Sequence, residues 1–406
     1  NLLTRFWFLI MNNVALIEDF FRRHTLKLFL LIGITTILLA IENYHDYHAY
    51  KIGDWLINYQ VGFIRRGFFG EFVFILHEIT GFDLGIILIF LQTVTYLLVF
   101  TLIYKLIKIN DAYFNYSLVL ISPFFLFFHI ADYQAGFRKE ILYFLLLSYL
   151  IYLSHFNKES FTKMFYLSVL LFPLLILTHE MLALYLPYLL IAYFMMNKIN
   201  YINSLKIALV LVPSAIAFLF AVSYEPNSVQ INEMVSIISA IYPVEPSGIL
   251  WLEKNLYQAF EYTSQTIRND YYIFYLFLLL LMTFSLIPLK NKIKIIFHEN
   301  INIFLFIIMI IGTVVLSLVA IDWGRFIYIH VFSLILLTLI NKKNVKSNED
   351  KFFTSYLNSI SLFKSKIIYF SYACLWYFPH IHPLKGVTRP FRIFEGIIAP
   401  YLKIFL

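Results

Sequence analysis

The sequence predicts an all-α protein that crosses a membrane many times, with about eleven transmembrane helices. The chain has 406 residues, of which 61% are hydrophobic and 19% aromatic. Soluble domains are about 45–50% apolar, and many windows here reach the ~18 apolar residues of a spanning helix. We therefore expect one polytopic membrane domain over residues 1–406, with the lipid bilayer as its first partner.

The predicted spans follow from the apolar runs and their polar flanks. They cover residues 26–42, 83–105, 113–130, 140–155, 164–178, 181–197, 206–223, 271–289, 299–320, 326–341 and 366–378. The stretch FGEFVFILHEIT, residues 69–80, is short and carries three ionisable side chains. It predicts a helix that lies at the membrane interface or re-enters, and that does not cross.

The basic residues predict the orientation. The net charge of +7 indicates cytoplasmic loops in a membrane protein, and no nucleic-acid partner. With the N-terminus in the cytoplasm, the lysine-rich loops all fall on the inner side: Lys105 and Lys108, Lys158 and Lys163, Lys198 and Lys206, residues 290–294 and residues 341–351. The opposite side then holds residues 42–71, 132–140, 178–180, 224–270 and 321–326.

Arginines on that outer side need an explanation, because positive charge there opposes the topology signal. They are Arg65, Arg66, Arg138, Arg268 and Arg325. Arginine binds phosphate or carboxylate through a planar fork, whereas lysine acts as a point charge. Any one of them is also explained by snorkelling or by pairing with a nearby acid. The convergence of the set on one face favours an anionic ligand.

The first outer loop, residues 42–71, combines acids with a glycine–arginine stretch. YHDYHAYKIGDW supplies Asp46 and Asp54, each a candidate catalytic base or ligand-orienting acid. An interfacial belt of Tyr and Trp would explain the aromatic residues but not the two aspartates. In GFIRRGFFG the glycines allow the backbone to approach a ligand, so Arg65 and Arg66 together with exposed amides would form an anion cradle.

The sequence LILTHEMLAL places His179 and Glu180 inside an otherwise apolar run. Ionisable residues at membrane depth indicate a functional site. The spacing is not H-E-x-x-H, so a zinc-protease interpretation fails. We expect Glu180 to act as a general base or cation ligand and His179 to bind substrate; alternatively, both pair with Arg138 or Arg325.

Cations at the start of a predicted span form the next candidate. AGFRKEIL places Arg138 and Lys139 at the start of a span, and Arg138 is unexpected there because the helix dipole disfavours positive charge at that end. Arg138 then needs an anionic partner, either a protein acid or a ligand phosphate. Glu140, at the same end, is explained by the dipole alone.

The sequence IDWGRF lies at the tip of a predicted hairpin and carries Asp322, Trp323 and Arg325. The acid can bind a hydroxyl, the indole can stack on a sugar ring and the guanidinium can bind a phosphate. Together they suit a sugar-phosphate site. A structural turn with an internal Asp–Arg pair is the alternative. The large outer loop, residues 224–270, contains ILWLEKNLYQAFEY, whose spacing predicts an amphipathic helix on the membrane surface.

In layout the chain resembles the O-antigen and capsule repeat-unit polymerases of bacteria, which have ten or more spans, a large outer loop and functional outer arginines. Its acidic first outer loop, ENYHDYHAYKIGD, is also similar to that of the GT-C membrane glycosyltransferases. The resemblance implies a bacterial inner-membrane enzyme that acts at the periplasmic face. It implies a polyprenyl-pyrophosphate-linked glycan donor, a glycan acceptor and other polysaccharide-assembly proteins as partners.

The resemblance also implies roles for the candidate residues. The pyrophosphate binders would be Arg65, Arg66, Arg138 and Arg325. The candidates for the base or for acceptor binding would be Asp46, Asp54, Glu180 and Asp322. Lys139, His179 and Trp323 complete the substrate-binding set. A carboxylate would deprotonate the acceptor hydroxyl while arginines stabilise the departing pyrophosphate.

No cofactor is required by this chemistry. A Mg²⁺ ion on Asp46 or Asp54 would need a carboxylate cluster that the sequence does not show, and Cys374 is the only cysteine.

Polymerisation of an undecaprenyl-linked repeat unit is the first functional hypothesis. A GT-C-type enzyme that adds one sugar from a polyprenyl-phosphate donor is the second. A glycolipid transporter or flippase is a third, although it would carry ionisable residues along a path through the membrane, and here they gather at one end. A membrane acyltransferase would need a buried catalytic histidine, for which only His179 qualifies.

Overall fold

The computed structural model describes residues 2–132, 134–198, 200–267, 269–341 and 362–374, and within them every regular element is helical. The α-helices are α1 (Leu2–Asp46), α2 (Phe68–Thr80), α3 (Leu84–Ile109), α4 (Tyr113–Leu120), α5 (Phe128–Ala131), α6 (Glu140–Leu153), α7 (Lys158–Thr178), α8 (Leu186–Met196), α9 (Tyr201–Ser223), α10 (Ser228–Ile241), α11 (Ser247–Leu250), α12 (Leu256–Thr266), α13 (Asn269–Ser285), α14 (Lys290–Ile296), α15 (Asn300–Ser317), α16 (Trp323–Leu337) and α17 (Leu362–Cys374). Arg268 and most of the lysine-rich segment 341–351 lie outside the described residues.

Six stretches among the described residues are long and apolar enough to cross a membrane. They are Ile17–Asp46, Leu84–Ile109, Lys158–Thr178, Tyr201–Ser223, Tyr275–Ile296 and Asn300–Ser317. Only 22% of the most apolar window of Tyr201–Ser223 and 17% of that of Asn300–Ser317 are buried inside the protein. Such large exposed apolar surfaces are typical of contact with lipid. The chain is therefore a helical membrane protein.

Four of the eleven predicted spans form shorter helices instead. The predicted span 113–130 divides into α4 and α5 around a turn at Pro123, because proline lacks an amide hydrogen and clashes with the preceding turn. The predicted span 181–197 starts as a 3-10 helix, Glu180–Tyr185, and becomes α8 at Leu186. The predicted spans 140–155 and 326–341 are α6 and α16. The last predicted span, 366–378, overlaps α17, and its end lies outside the described residues.

Helix α16 shows why an apolar run need not face lipid. Each residue from Gly324 to Leu337 is buried inside the protein. A helix that is apolar all round is buried in a protein core as readily as in a bilayer. Hydropathy alone does not separate these two environments, and the same ambiguity applies to the other short apolar helices.

Helices α1 and α3 show how the two ends of the bundle differ. Arg22 on α1 pairs with Asp111, just beyond the end of α3, at 2.9 Å. At the other end, the Tyr242 hydroxyl donates to the carbonyl of Tyr44, and the Tyr242 ring packs against Gly85 at the start of α3. The two helices are therefore antiparallel, so the lysines at the end of α3 and the first outer loop lie at opposite ends.

The segment between α1 and α3 begins and ends at the same end of the bundle. Its 3-10 helix, Gly53–Leu56, is fully buried, and α2 has 13 residues, or about 20 Å at 1.5 Å per residue. This length agrees with the non-crossing helix predicted for residues 69–80.

The large outer loop is built from several short helices. The prediction of a single amphipathic helix over ILWLEKNLYQAFEY is wrong, because the helical segment ends at Glu253. There Asn255 starts α12 with a capping box in which its side chain and that of Gln258 satisfy each other's backbone amides. Amphipathic character remains in α12, whose Leu256 and Tyr257 are exposed.

Backbone atoms of a neighbouring segment pack closely against Gly70. A Cβ at Gly70 would collide with the carbonyl of Ile57 and lie 2.8 Å from the Trp55 carbonyl oxygen. Moving backbone atoms to relieve this collision costs free energy, so we expect Gly70→Ala to destabilise the fold by about 1–3 kcal/mol. The measurement is thermal unfolding of the protein in detergent.

The matched control is Gly33→Ala, also within a helix, where the new Cβ would lie 3.2 Å from the flexible end of Leu97. Its melting temperature should equal or exceed that of the wild type, because alanine favours helices over glycine. Equal melting temperatures for the two variants would contradict the packing at Gly70.

Candidate functional site

Four of the segments that the sequence predicts to be outer converge on a buried group of charges, which we call the ionic cluster. Its cations are Arg66, Arg138, Lys139 and Arg325, and its carboxylates are Asp54, Glu140, Glu180 and Asp322. Withdrawing charges from water is costly unless they are compensated. The concentration of eight such groups in a membrane protein therefore indicates a functional site.

One half of the cluster is centred on Asp54. Its carboxylate lies 3.7 Å from the Arg66 guanidinium and 3.5 Å from the Lys139 ammonium. Arg66 Nε also donates to the Glu180 carboxylate, at 2.9 Å to Oε2 and 3.0 Å to Oε1. These contacts join the first outer loop to the start of α6 and to the turn after α7.

The other half is centred on Arg325 in the first turn of α16. Its guanidinium pairs with Asp322 at 2.5 Å and with Glu140 at 3.3 Å. It also lies 3.8 Å from the sulfur of Met181, the residue after Glu180. The alternative interpretation, a turn with an internal Asp322–Arg325 pair, is confirmed, and Glu140 is an additional partner.

Two residues in the left-handed backbone region help to present the cations. Arg66 has φ 71° and Phe137, which precedes Arg138, has φ 57°. Bulky residues rarely adopt this conformation, which costs of order 1–3 kcal/mol and persists where the surroundings impose it. Phe137 is held on both sides: its amide donates to the Tyr96 hydroxyl at 3.0 Å, and its carbonyl accepts from the Trp55 indole at 2.7 Å.

The electrostatics keep the Asp54 half charged at neutral pH. Burial disfavours ionisation of Asp54, but the charges of Lys139 and Arg66 outweigh it and hold its pKa at about 2. Burial lowers the pKa of Lys139 to about 8, although Asp54 opposes this shift. Burial, and then the charge of Arg66, lower the pKa of His179 to about 3, so this imidazole is neutral.

Arg138 differs from the other cations of the cluster. Its side chain is 7% exposed, yet among the described residues no carboxylate forms an ion pair with it. Its guanidinium lies over the Tyr50 ring, 4.7 Å from the centroid, and donates to the carbonyl of Gln134 at 3.2 Å. Its Nε has no hydrogen-bond partner in the described part of the chain. Burial lowers the pKa of Arg138, and the charge of Arg325 lowers it further, while the charge of Asp322 opposes this shift.

The side chains of the two adjacent arginines in the first outer loop bind different parts of the protein. Arg66 joins the ionic cluster, whereas Arg65 donates to the carbonyls of Leu252 and Lys254 in the large outer loop, each at 3.3 Å. The glycines beside them, Gly67 and Gly70, pack tightly against Tyr59 and the backbone of Ile57. The structure therefore does not form the predicted anion cradle from both guanidiniums.

Three further predicted residues lie at the edge of the cluster or beyond it. Asp46 is exposed at the end of α1, whereas Asp54 is 5% exposed. His179 Nδ1 accepts from the amide of Met181 at 3.3 Å and lies 3.7 Å from Glu180. Trp323 donates to the carbonyls of Ser317 and Ala320, each at 2.9 Å, so its indole nitrogen is used within its own turn.

Glu180 has a different ion-pair partner from those predicted. The alternative hypothesis paired it with Arg138 or Arg325, and the structure pairs it with Arg66. Sequence reasoning also missed Glu140, which it assigned to the helix dipole, and Tyr50, which it counted as an interfacial aromatic. The adjacent charges of Arg138, Lys139 and Glu140 within an apolar sequence were the signal that pointed to Glu140.

In the described part of the chain, no group of three or more His, Cys, Asp or Glu side chains is arranged to hold a metal ion. Comparison of the chain with protein-family models, with curated proteins and with solved structures found no match. The fold and the site define the class as a helical membrane protein with a buried ionic cluster formed by several interhelical segments.

The burial of Lys139 predicts a pH dependence of stability. Its folded-state pKa of about 8 lies below the ordinary 10.5, so between these values the unfolded chain binds more protons. The contribution of Lys139 to stability therefore rises with pH over this window. We expect the melting temperature of the wild type to increase from pH 8 to pH 10 relative to that of Lys139→Met.

Lys163→Met removes a lysine whose side chain is 75% exposed and controls for the loss of one charge. The difference in melting temperature between the wild type and Lys163→Met should stay nearly constant from pH 8 to pH 10. The melting temperature of the wild type minus that of Lys139→Met should rise from pH 8 to pH 10. A value that stays constant or falls would contradict the burial of a charged Lys139.

Proposed function

We propose that the chain is a membrane glycosyltransferase that uses a polyprenyl-linked sugar donor, with the ionic cluster as its active site. The observation that supports this most is that the ionic cluster contains an unsatisfied donor and an unsatisfied acceptor. Arg138 Nε and Glu140 Oε2 are both buried and have no hydrogen-bond partner among the described residues. Buried polar atoms are rarely left without partners. A ligand that accepts at one point and donates at another would satisfy both.

A sugar phosphate has this combination of groups. Its phosphate oxygens would accept from Arg138, whose guanidinium is already oriented by the Tyr50 ring. Its hydroxyls would donate to Glu140. Arginine offers phosphate a charge-assisted, bidentate contact, and fixed cations stabilise the charge that develops on a departing phosphate.

Asp54 is the proposed base. In the reaction, the acceptor hydroxyl oxygen bonds to the anomeric carbon and its proton passes to the Asp54 carboxylate. The bond from that carbon to the donor phosphate breaks, and the phosphate leaves with the electron pair, held by Arg138 and Arg66. In the free protein a pKa of about 2 makes Asp54 a weak base. A bound phosphate would offset the charges of Arg66 and Lys139, which raises that pKa towards the range useful for proton transfer.

The proposed site faces the side opposite the lysine-rich loops. Helix α3 carries Lys105 and Lys108 near its far end, which lies beside Arg22. The positive-inside rule assigns such ends to the cytoplasm. We therefore propose a bacterial inner-membrane protein with a cytoplasmic N-terminus and a periplasmic active site.

Two versions of the transfer are compatible with this site. Repeat-unit polymerisation is favoured by the number of arginines and would involve a lipid-linked acceptor and other polysaccharide-assembly proteins. Transfer of a single sugar is favoured by the position of Asp54, because the buried acid comes from the first outer loop, as in the GT-C enzymes.

Paired aspartate variants test the proposal. In a deletion strain, a plasmid copy carrying Asp54→Asn should fail to restore the surface glycan, with a loss of about 10²-fold or more. Asp46→Asn should restore it, because Asp46 is exposed at the end of α1. Gel profiles of extracted surface polysaccharide, with immunoblots for protein level, provide the measurement.

The deletion itself separates the two versions. A ladder that collapses to a single repeat unit indicates the polymerase, and loss of one side-branch sugar indicates the single-sugar transferase. An unchanged glycan in the deletion strain, or full activity of Asp54→Asn, would contradict the proposed function.

A further inference from the structure

A cleft in the large outer loop lies outside the ionic cluster. It has a volume of about 740 Å³, within the range of about 300–1,000 Å³ typical of small-molecule sites. It is lined by Pro226, Ser228, Ser247, Leu250, Trp251, Glu253, Lys254, Gln258, Glu261, Tyr262 and Gln265.

Helix α12 divides its surface between this cleft and the exterior. Gln258, Glu261, Tyr262 and Gln265 line the cleft and recur at the spacing of one helical face. On the remaining surface, Tyr257 is 74% exposed. The helix packs on the protein through Ala259 and Thr263, so the polar side chains that line the cleft lie on a different, solvent-accessible face.

The chemistry of the lining suits an uncharged ligand rich in hydroxyl groups. Trp251 and Tyr262 meet edge to face at 5.1 Å, and the Lys254 ammonium lies 5.2 and 5.1 Å from their centroids. The carboxylates of Glu253 and Glu261 against Lys254 give the lining an excess of one negative charge. Phosphate is disfavoured there, and a purely apolar ligand would leave the polar groups without water or partners. Aromatic rings beside carboxylates and amides match the C–H faces and hydroxyls of a sugar.

The cleft is connected to the ionic cluster through Arg65. Arg65 donates to the carbonyls of Leu252 and Lys254, in the chain segment that forms one wall, and its neighbour Arg66 is in the cluster. A single extended ligand would therefore meet cations at one end and the cleft at the other.

We propose that this cleft binds a neutral oligosaccharide, the glycan part of a substrate whose phosphate is held at Arg138. The inference rests on the proposed function for the identity of the whole ligand, but glycan binding is measurable without catalysis. The assignment divides the substrate by charge: phosphate at the cationic cluster, and uncharged sugar at the weakly negative cleft.

Glycan binding by the purified full-length protein tests the inference. The detergent-solubilised chain is applied to an array of neutral bacterial oligosaccharides. We expect retention of at least one glycan by the wild type. Loss of an aromatic wall in Trp251→Ala should weaken that binding roughly tenfold, and the isosteric Glu261→Gln should also weaken it. Tyr257→Ala, on the exposed surface of the same helix, should bind as the wild type does.

The outcomes separate this inference from the proposed function. Absence of binding to every neutral oligosaccharide, or equal binding by wild type, Trp251→Ala and Glu261→Gln, would overturn the glycan cleft. Arg138→Gln should keep glycan binding, because it alters only the phosphate end. If deletion leaves the surface glycan unchanged while the array shows binding that depends on Trp251, the transferase proposal fails and the cleft remains.

Discussion

The compensation of buried charge around Arg66 is the interaction on which the site depends. Arg66 donates to the Glu180 carboxylate through both Nε and Nη2 and faces Asp54, so it joins the first outer loop to the turn after α7. Removing one member of a buried pair leaves an uncompensated charge at a cost of about 3–5 kcal/mol. The position of each segment is therefore tied to the others through charge, and the strained φ of Arg66 is retained within that network.

Balanced charge also shapes how the site would work. Four cations and four carboxylates balance one another in charge when all are ionised. A ligand phosphate would disturb this balance and would raise the pKa values of nearby groups, among them Asp54 and Lys139. Binding at one end is thereby coupled to the basicity of the carboxylate that would take the acceptor proton.

The sequence predicted the helical membrane class and most of the clustered charges, because apolar runs and misplaced arginines are local signals. It did not predict which apolar helices are enclosed by protein, as α16 is, since burial in protein and in lipid demands the same composition. It could not separate Arg65 from Arg66 or Asp46 from Asp54, because the two members of each pair differ only in tertiary contacts. The start of a new helix at Asn255 has a capping-box pattern in the sequence, but the apolar spacing across it predicted one continuous helix.

The proposed site requires the ionic cluster to bind a phosphate group through Arg138. Isothermal titration calorimetry of the purified protein with inorganic pyrophosphate measures this directly. We predict saturable binding by the wild type, weakened roughly tenfold or more in Arg138→Gln, since a hydrogen bond to a charged group contributes about 1.5–3 kcal/mol. Arg65→Gln should leave the affinity unchanged. If the wild type does not bind pyrophosphate, or if Arg138→Gln binds it with equal affinity, the ionic cluster does not bind phosphate through Arg138.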